Sequence, residues 1–256
     1  MNSQSSPMLL SVNDPPPVQI HNTHGASPFL LIGDHAGNTI PLSLGTLGLT
    51  DAEMGSHIGW DIGIGGLGER LSAALDAVFI RQTYSRLVID CNRDPLASEA
   101  APEVSDGTAI PGNQGLAPAA RGCRIDEIHA PYHQAIATEL ARRDAAGRAT
   151  IFVALHSFTP VMQGIARPWQ IGILHSGANA NFALELLRLL QSRADLTVGD
   201  NQPYVMDCTD FTVPRHAFAS HRPYVEIEIR QDLLATGEQQ AAWSDLLEKE
   251  LVAAAG

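Results

Sequence analysis

The chain has 256 residues, a formal net charge of −12 and a hydrophobic content of 45%. This length suffices for one large domain, and the composition excludes a disordered chain or a fibre. The acidic charge and the lack of a basic stripe argue against nucleic acid or an anionic membrane as a partner. No apolar run approaches the roughly 20 residues that cross a bilayer, and the start of the chain does not resemble a signal peptide. We therefore predict a cytoplasmic protein.

Three cysteines, Cys91, Cys123 and Cys208, lie far apart in the sequence. Their odd number and the absence of a Cys-x-x-Cys pair argue against a disulfide framework and against a structural zinc knuckle. Reduced thiols in a reducing compartment fit this pattern best.

Residues 1–27 are rich in Ser, Pro, Asn and His and are predicted to form an extended N-terminal arm. Residues 28–256 are predicted to form a single α/β domain, because strand-like apolar runs alternate with helical patterns. This alternation is typical of a three-layer αβα architecture, with a mostly parallel mixed sheet covered by helices on both faces. The predicted strands are 29–34, 77–83, 86–91, 150–156, 169–175 and 223–229. The predicted helices are 62–76, 124–145, 178–194 and 238–254.

Two long irregular stretches interrupt this alternation. Residues 94–122 carry Pro, Gly, Ser and Asn with little periodicity, which predicts a long loop of the kind that often acts as a lid. Residues 199–223 are too polar to belong to the core and are predicted to flank a pocket.

Histidines lie where two predicted strands leave the core, a position at which α/β enzymes place reactive groups. His156 closes the strand 150–156, and His35 follows the strand 29–34. Catalytic zinc takes three ligands from His, Asp and Glu and keeps a fourth position for water. We therefore predict His35, Asp61 and His156 as metal ligands. Two alternatives stay open: a turn histidine whose ring is satisfied by the backbone at position 35, and a helix cap at Asp61.

Glu226 and Glu228 lie two residues apart in the strand 223–229, with apolar residues between and beside them. Side chains alternate along a strand, so both carboxylates lie on one face. Hydrolysis by activated water needs a carboxylate that accepts a proton and passes it to the leaving nitrogen, and we predict Glu228 for this role. The alternative is a solvent-facing edge strand, although buried parallel strands are normally apolar on both faces.

Arg86 and the segment 90–93, Asp-Cys-Asn-Arg, form a candidate anion clamp, since arginine binds a carboxylate through two hydrogen bonds. Asp90 is predicted to orient Arg93. The alternative is an ordinary ion pair between a strand and a loop. Because the acidic net charge opposes the approach of an anionic substrate, the pocket must supply arginines of its own.

Further candidates lie in the polar stretch 199–223. Arg215 and His216 are predicted to contact the substrate, and Arg215 or Arg222 is available for a second carboxylate. His129 and His133 are four residues apart on a predicted helix, a spacing compatible with a shared metal. A structural role is preferred for this pair, because no carboxylate partner is evident.

Five segments together resemble the N-formylglutamate amidohydrolase family, from about Phe29 to Leu234. They are Asp-His-Ala-Gly at 34–37, His-Ile-Gly-Trp-Asp at 57–61, Tyr-Ser-Arg-Leu-Val-Ile-Asp-Cys-Asn-Arg-Asp-Pro at 84–95, His-Ser-Phe at 156–158 and Glu-Ile-Glu-Ile-Arg-Gln at 226–231. The resemblance implies a zinc-exopeptidase-like (phosphorylase/hydrolase-like) fold, similar to that of the zinc carboxypeptidases and the aspartoacylase group.

In this resemblance, the metal positions are His35, the residue after Trp60, and His156, and the catalytic carboxylate is Glu228. Two departures concern the second ligand. Members nearest to the histidine-degradation enzyme tend to have His after Trp, where this chain has Asp61. The carboxypeptidase-like His-x-x-Glu ends here in Asn38, and Asp61 is preferred to it as the ligand.

The resemblance implies a zinc-dependent hydrolase of linear amide bonds, with one Zn²⁺ per chain. Iron, manganese or cobalt would also suit such a ligand set. Its implied substrate is a small, anionic N-acylated acidic amino acid, with N-formyl-L-glutamate, cleaved to formate and L-glutamate in amino-acid degradation, as the best candidate. Arg86, Asn92 and Arg93 receive substrate-binding roles, and Arg86 is also expected to stabilise the oxyanion.

Three alternatives remain: another N-acyl-amino-acid deacylase, a carboxypeptidase-type peptidase, and a non-catalytic protein that binds acidic amino acids. The sequence also leaves open a homo-oligomer.

Overall fold

The secondary structure follows the alternation of apolar runs and helical patterns. The computed structural model describes residues 8–176 and 179–256. Its strands are β1 (Val18–His21), β2 (Phe29–Gly33), β3 (Val78–Gln82), β4 (Val104–Ser105), β5 (Thr108–Ala109), β6 (Ile151–Phe158), β7 (Val161–Met162), β8 (Ile165–Ala166), β9 (Ile171–Leu174), β10 (Val198–Asp200) and β11 (Tyr224–Arg230). Its α-helices are α1 (Asp51–Met54), α2 (Ile64–Leu75), α3 (Pro118–Arg124), α4 (Ala130–Ala145), α5 (Asn181–Gln191) and α6 (Gly237–Ala254). Two π-helical turns are Ile125–His129, between α3 and α4, and Pro214–Phe218.

Seven strands form one sheet in the order β1-β3-β2-β6-β11-β9-β10. The neighbours β3, β2, β6 and β11 are parallel, β1 is antiparallel to β3, and β9 is antiparallel to β11 but parallel to β10. The predicted α/β class with a mostly parallel mixed sheet is therefore confirmed. Strands β2, β6 and β11 are buried along nearly their whole length, as expected for parallel strands between two layers of helices.

Each face of the sheet packs against its own layer of helices. On one face, α2, α5 and α6 cover a cluster that includes Val225, Ile227 and Ile229 of β11. On the other face, α4 covers a second cluster. Because side chains alternate, Glu226 and Glu228 share one face of β11, as predicted, and this is the face that α4 covers. Strand β11 lies between β6 and β9, so the edge-strand alternative for these glutamates is wrong.

Five predicted strands are confirmed as β2, β3, β6, β9 and β11. The strand predicted at 86–91 is wrong, because this segment is a turn in which the Val88 N–H donates to the Ser85 carbonyl at 2.9 Å. Its apolar run 87–89 is buried in a third cluster away from the sheet. The place beside β3 that such a strand would need is occupied by β1.

The predicted helices 62–76, 124–145 and 238–254 are confirmed as α2, as α4 with the turn before it, and as α6. The helix predicted at 178–194 is observed as α5, and residue 178 lies outside the described residues. Within the predicted N-terminal arm, of which the structure describes residues 8–27, β1 is extended but belongs to the sheet. No helix in the described ranges is long and apolar enough to cross a bilayer.

The predicted long loop 94–122 contains a short hairpin, β4–β5, and the start of α3. The hairpin turn is Asp106-Gly107, and both residues have positive φ, 41° and 77°. This pair suits a two-residue turn, because Asp tolerates and Gly favours the left-handed region. This hairpin and a second hairpin of the same length, β7–β8, both lie beside the site described next.

Candidate active site

His35, Asp61 and His156 come together at the carboxyl ends of neighbouring strands. His35 lies two residues beyond β2, and His156 lies near the end of β6, the parallel neighbour of β2. Asp61 is in the turn before α2, where its backbone N–H donates to the His35 carbonyl at 2.9 Å. Parallel strands bring their carboxyl ends to one edge, so three residues far apart in sequence form one buried group.

The geometry of this group fits a tetrahedral metal ion. Asp61 Oδ2 lies 3.4 Å from His35 Nδ1 and 2.9 Å from His156 Nδ1. Ligand atoms about 2.0–2.1 Å from zinc are about 3.3 Å apart in a tetrahedron. The His35 Nδ1 atom is buried without a hydrogen-bond partner, as a ligand atom would be before a metal binds. Among the described residues, this is the single group of three or more His, Cys, Asp or Glu side chains close enough to hold a metal.

A buried carboxylate faces the second ring nitrogen of each histidine. His35 Nε2 is 2.7 Å from Asp90 Oδ1, and His156 Nε2 is 3.4 Å from Asp34 Oδ2. A histidine that donates its Nε2–H to a carboxylate keeps the Nδ1 lone pair available for a metal. Asp34 is held in turn by the Thr212 hydroxyl, which donates to Asp34 Oδ1 at 2.8 Å. The hydrogen bond to Asp90 thus orients His35 for binding through Nδ1, whereas Asp34 faces His156 Nε2 without a hydrogen bond.

Three buried carboxylates, those of Asp34, Asp61 and Asp90, surround the two histidines. Burial alone would raise the pKa of each carboxyl, but the two histidines, and Arg86 in the case of Asp90, hold each pKa below its ordinary value. The carboxylates in turn raise the pKa of both histidines, so they favour positive charge at this position. A divalent cation would supply that charge in place of the ring protons, since buried charges require a partner. The chemistry of the donor set and its electrostatics both fit a divalent metal.

The alternatives for Asp61 and His35 find no support in this geometry. No side chain caps the start of α2, and the Asp61 carboxylate instead contacts both histidines. The His35 ring is held by carboxylates rather than by a backbone group. Asn38 donates to the Met54 carbonyl at 2.7 Å and does not line the cavity at the site.

Glu226 and Glu228 lie on the strand next to His156. In the β11–β6 register, Glu228 is opposite His156, so the two side chains share a face. Both glutamates are buried, and Oε2 of each has no hydrogen-bond partner. Burial raises the pKa of Glu226 to about 7. Burial, with added repulsion from Asp61 and Glu226, raises the pKa of Glu228 well above its ordinary value.

A cavity of about 400 Å³, here called the metal cavity, opens onto this group. Its lining residues are His35, Asp61, Arg86, Asn92, Arg93, His156, Ser157, Pro203, Tyr204, Val205, Asp207, Thr209, Asp210, Glu226 and Glu228. The predicted ligands, the predicted general base and three predicted substrate-binding residues therefore share one cavity.

Arg86 and Arg93, the two arginines of the predicted clamp, differ in the number and length of their ion pairs with carboxylates. Arg86 Nη2 donates to Asp90 Oδ2 at 2.8 Å, and Nη1 lies 3.5 Å from Asp61 Oδ1. Arg93 Nη1 donates to the Asn92 carbonyl at 2.8 Å and lies 3.7 Å from Asp210 Oδ1. The predicted orienting contact of the Asp90 side chain is thus made to Arg86 rather than to Arg93. Arg93 is the less committed of the two cations.

Asn92 fixes the polar stretch over the cavity. Its Oδ1 accepts hydrogen bonds from the Phe211 and Thr212 N–H groups at 3.0 and 2.9 Å. Its Nδ2 donates to Asp210 Oδ1 at 3.4 Å. Asn92 therefore uses its amide mainly to position the loop that carries Asp210, and it borders the cavity from there.

Arg215, His216 and Arg222 lie outside the lining of the metal cavity. The Arg215 guanidinium is exposed, 5.2 Å from the Phe211 ring centroid, and Arg222 is paired with Asp144. The polar stretch was correctly predicted to flank a pocket, but residues 203–210 face it, whereas 214–218 form a π-helical turn. Because the stretch 199–223 has no periodic pattern, its sequence does not show which of its residues face the cavity.

Sequence reasoning missed two residues of the site. Asp34 directly precedes His35, and a carboxylate next to a metal-binding histidine is a signal that could have identified it. Tyr204 lines the metal cavity, and its hydroxyl accepts a hydrogen bond from Arg167 Nη1 at 3.0 Å. Nothing in the surrounding sequence distinguishes this tyrosine.

If the predicted site holds zinc, replacement of Asp34 by asparagine is expected to weaken zinc binding by about tenfold to a hundredfold, the usual effect of removing a carboxylate that orients a metal-binding histidine. The change removes the charge that faces His156 Nε2 but leaves all three ligands in place. Competition with a chelator of known affinity would measure the loss. Thr212→Val, which removes only the hydroxyl that supports Asp34, should cause a smaller loss, and wild-type affinity in Asp34→Asn would contradict the orienting role.

His133 and His216 form a buried neutral pair behind the site. His133 Nε2 lies 2.9 Å from the Cys91 carbonyl oxygen, and His133 Nδ1 lies 2.9 Å from His216 Nε2. A carbonyl oxygen only accepts, so His133 carries its proton on Nε2 and accepts from His216 at Nδ1. Both ring nitrogens of His133 are therefore engaged, which supports the structural role preferred for His129 and His133. Burial lowers the pKa of His133 to about 3 and that of His216 to about 4.

This pair predicts a loss of stability in mild acid. Because the folded pKa values lie below the unfolded value of about 6.5, the unfolded chain binds more protons, and the free energy of unfolding falls as the pH drops below about 6.5. Between pH 7 and 4.5 the wild type should lose about 2–3 kcal/mol more than His133→Gln in denaturant titrations. His24→Gln, an exposed control, should keep the wild-type slope. Parallel curves for wild type and His133→Gln would contradict a neutral buried pair.

Comparisons with known proteins identify the family of this chain. The family model for N-formylglutamate amidohydrolase matches residues 27–235. A solved structure of a gene product from Agrobacterium tumefaciens is 36% identical, with a TM-score of 0.93, over 96% of this chain and 98% of that one. The N-formylglutamate amidohydrolase from Ralstonia eutropha JMP134 shares the fold, with a TM-score of 0.66 and 19% identity over 93% of this chain and 96% of that one.

The comparison with curated proteins gives no match. The family model nevertheless spans most of the sequence, from before β2 to beyond β11, and so contains every residue of the predicted ligand set and the predicted base. The chain belongs to the N-formylglutamate amidohydrolase family.

Proposed function

We propose that this amidohydrolase is zinc-dependent and cleaves the amide bond of a small N-acyl amino acid, with N-formyl-L-glutamate as the first candidate substrate. The observation that carries the proposal is the buried group of His35, Asp61 and His156, with Glu228 on the adjacent strand in the same cavity. Other divalent metals suit this ligand set as well. Family membership supports the reaction class, and the cavity supports a small substrate.

When bound, zinc would polarise the amide carbonyl and lower the pKa of water. Glu228 would accept a proton from the attacking water and then donate it to the leaving amine nitrogen. A raised pKa suits this double role, because a carboxylate of higher pKa is a stronger base and holds the proton until the amine departs. Burial of Glu228 also keeps bulk water from competing for the transferred proton.

Arg86 and Arg93 would act on negative charge in the substrate. Arg86 is fixed by Asp90 and lines the metal cavity, so it would stabilise the charge that develops on the amide oxygen. Arg93 would bind the α-carboxylate of the amino acid, and Asn92 would hold the adjacent loop in place. The proposed set of substrate-binding residues is thus Arg86, Asn92 and Arg93.

The proposal is tested by metal content together with amine release from N-formyl-L-glutamate and other N-formyl amino acids, before and after chelation. About one zinc per chain and chelator-sensitive release are expected. Zinc without any release would contradict the substrate class. Absence of metal after reconstitution, combined with binding of an acidic amino acid, would support a non-catalytic binding protein instead.

A further inference from the structure

A second cavity of about 340 Å³, here called the side cavity, adjoins the metal cavity. The two cavities share the lining residues Asp61, Arg86, Arg93, Ser157 and Tyr204. Arg93, the proposed partner of the substrate α-carboxylate, thus lies on the boundary between them. The side chain of a bound amino acid can extend from this boundary into the side cavity, which makes the side cavity a candidate subsite for that side chain.

Arg167 lies beside the side cavity and is held there by the chain that follows β6. It comes directly after β8, and its backbone N–H donates to the Pro160 carbonyl at 2.9 Å, which closes the β7–β8 hairpin. The Arg167 guanidinium carbon is 5.9 Å from the centroid of the Phe158 ring and 4.9 Å from that of the Tyr204 ring. Both rings line the side cavity. A cation is therefore held against two residues of the cavity wall.

The charge of Arg167 is not paired with an acidic side chain of the protein. Within the described part of the chain Arg167 has no carboxylate partner, and its guanidinium donates from Nη1 to the Tyr204 hydroxyl at 3.0 Å. Arg86 and Arg93, in contrast, both have carboxylate partners. Arginine binds carboxylates strongly, so an unpaired one beside a substrate cavity is available to act on an anion that enters it.

The Tyr204 hydroxyl connects this cation to the cavity. The hydroxyl accepts from Arg167, and its own proton has no acceptor among the residues that the structure describes. Burial, with added repulsion from Glu228, raises the pKa of Tyr204, so the hydroxyl stays protonated at neutral pH and is able to donate. A hydroxyl that accepts from a charged donor is itself a stronger donor. Because Tyr204 lines both cavities, a bound substrate is within its reach.

Two acidic residues in the lining of the side cavity, Glu99 and Asp106, have partners other than Arg167. Asp106 Oδ2 lies 3.1 Å from His57 Nε2, and the Ser98 hydroxyl donates to Glu99 Oε2 at 2.9 Å. Hydrogen bonds from its own backbone N–H and from the Ser98 hydroxyl, together with the charge of Arg93, lower the pKa of Glu99. Neither carboxylate therefore neutralises the guanidinium behind Tyr204.

Resting on the proposed function, we infer that Tyr204 is a specificity-determining residue, whose hydroxyl, polarised by Arg167, donates a hydrogen bond to the second carboxylate of an N-acyl acidic amino acid in the side cavity. Tyr204 contacts the substrate, and Arg167 is a positioning residue that acts through it. A carboxylate is thereby favoured over an amide of the same shape, because a hydrogen bond to a charged group is about twice as strong as one between neutral groups.

N-formyl-L-glutamate and N-formyl-L-glutamine test this inference, because they have nearly the same shape and differ in one charge. With the zinc-loaded full-length protein, kcat/KM for the glutamate derivative should exceed that for the glutamine derivative by about tenfold or more. Tyr204→Phe should lower this ratio by about tenfold, the usual effect of losing a hydrogen bond to a charged group. The loss should appear mainly as a higher KM for the glutamate derivative, since the bond holds a part of the substrate away from the reacting amide.

Variants of Arg167 test its role behind the tyrosine. Arg167→Gln should lower the ratio severalfold, and Arg167→Lys, which keeps the charge, should restore part of it. In the Tyr204→Phe background, Arg167→Gln should cause little further loss, because the group through which it acts is already absent. Arg188→Gln removes the same charge from the exposed side of α5, outside both cavities, and should leave the ratio unchanged.

The outcomes separate this inference from the proposed function. A wild-type ratio near one, or a ratio that Tyr204→Phe leaves unchanged, would overturn the inference and leave the proposed function intact. An equal loss of kcat for both substrates in Tyr204→Phe would also overturn it, because the hydroxyl would then act on the amide that both share. Additive losses in the double variant would overturn the role of Arg167. Failure of the zinc-loaded wild type to hydrolyse any N-formyl amino acid would overturn the proposed function and the inference together.

Discussion

Replacement of Glu228 by glutamine is expected to lower kcat by about a hundredfold to ten-thousandfold, the usual contribution of a general acid and base, while the zinc content stays unchanged. The amide keeps the shape of the side chain but cannot accept a proton from water. Glu228 lies opposite His156 on the adjacent strand and is not one of the three residues that group as metal ligands. Steady-state kinetics and metal analysis of the same preparation measure both quantities.

Glu226→Gln provides the comparison, since Glu226 is also buried in the lining of the metal cavity. Glu226 lies opposite Ala154 and is two residues further than Glu228 from the carboxyl end of β11. Its replacement should therefore lower kcat less. A large loss in Glu226→Gln together with near wild-type activity in Glu228→Gln would reassign the general base to Glu226.

Replacement of Asp61 by alanine is expected to weaken zinc binding by more than about a hundredfold, which exceeds the effect of losing an outer-shell carboxylate. The change removes a ligand and also a charge that both histidines contact. Zinc content after dialysis should fall from about one per chain toward zero, and activity should fall with it.

Asp61→His is the matched control, because it replaces one ligand type by another that zinc accepts equally well. We expect this variant to retain zinc. Its affinity for zinc should be lower than that of the wild type, because an imidazole is larger than the carboxylate it replaces between His35 and His156. Full zinc content in Asp61→Ala would contradict the ligand assignment. Loss of zinc from both variants, with intact folding by circular dichroism, would indicate that the negative charge at this position is required.

The sequence predicted the central fold well, because β2 and most of β6 are continuous apolar runs and β11 alternates apolar residues with two glutamates, as expected of strands in the middle of a covered sheet. The same property placed His35, His156 and Glu228 at strand ends, from which they reach one cavity. Convergence of parallel strands made this part of the site predictable from local patterns.

Local sequence patterns gave wrong predictions for segments that are buried or folded without a helix or a strand. The run 87–89 is apolar and buried, like a strand, but it fills a cluster under a turn. Arg215 and Arg222 are arginines in a polar stretch, and their distance from the cavity depends on how that stretch folds around Asn92. Contacts of this kind join residues more than a hundred positions apart, so no window of sequence contains them.

The hydrogen bond from Thr212 to Asp34 spans 178 positions of the chain. During synthesis on the ribosome, the first histidine of the metal group emerges long before the residues that orient the second one. Residue 228, which carries the proposed base, emerges later still. The proposed metal environment, with Thr212 supporting Asp34, is therefore incomplete on a nascent chain until more than four-fifths of the sequence has been made.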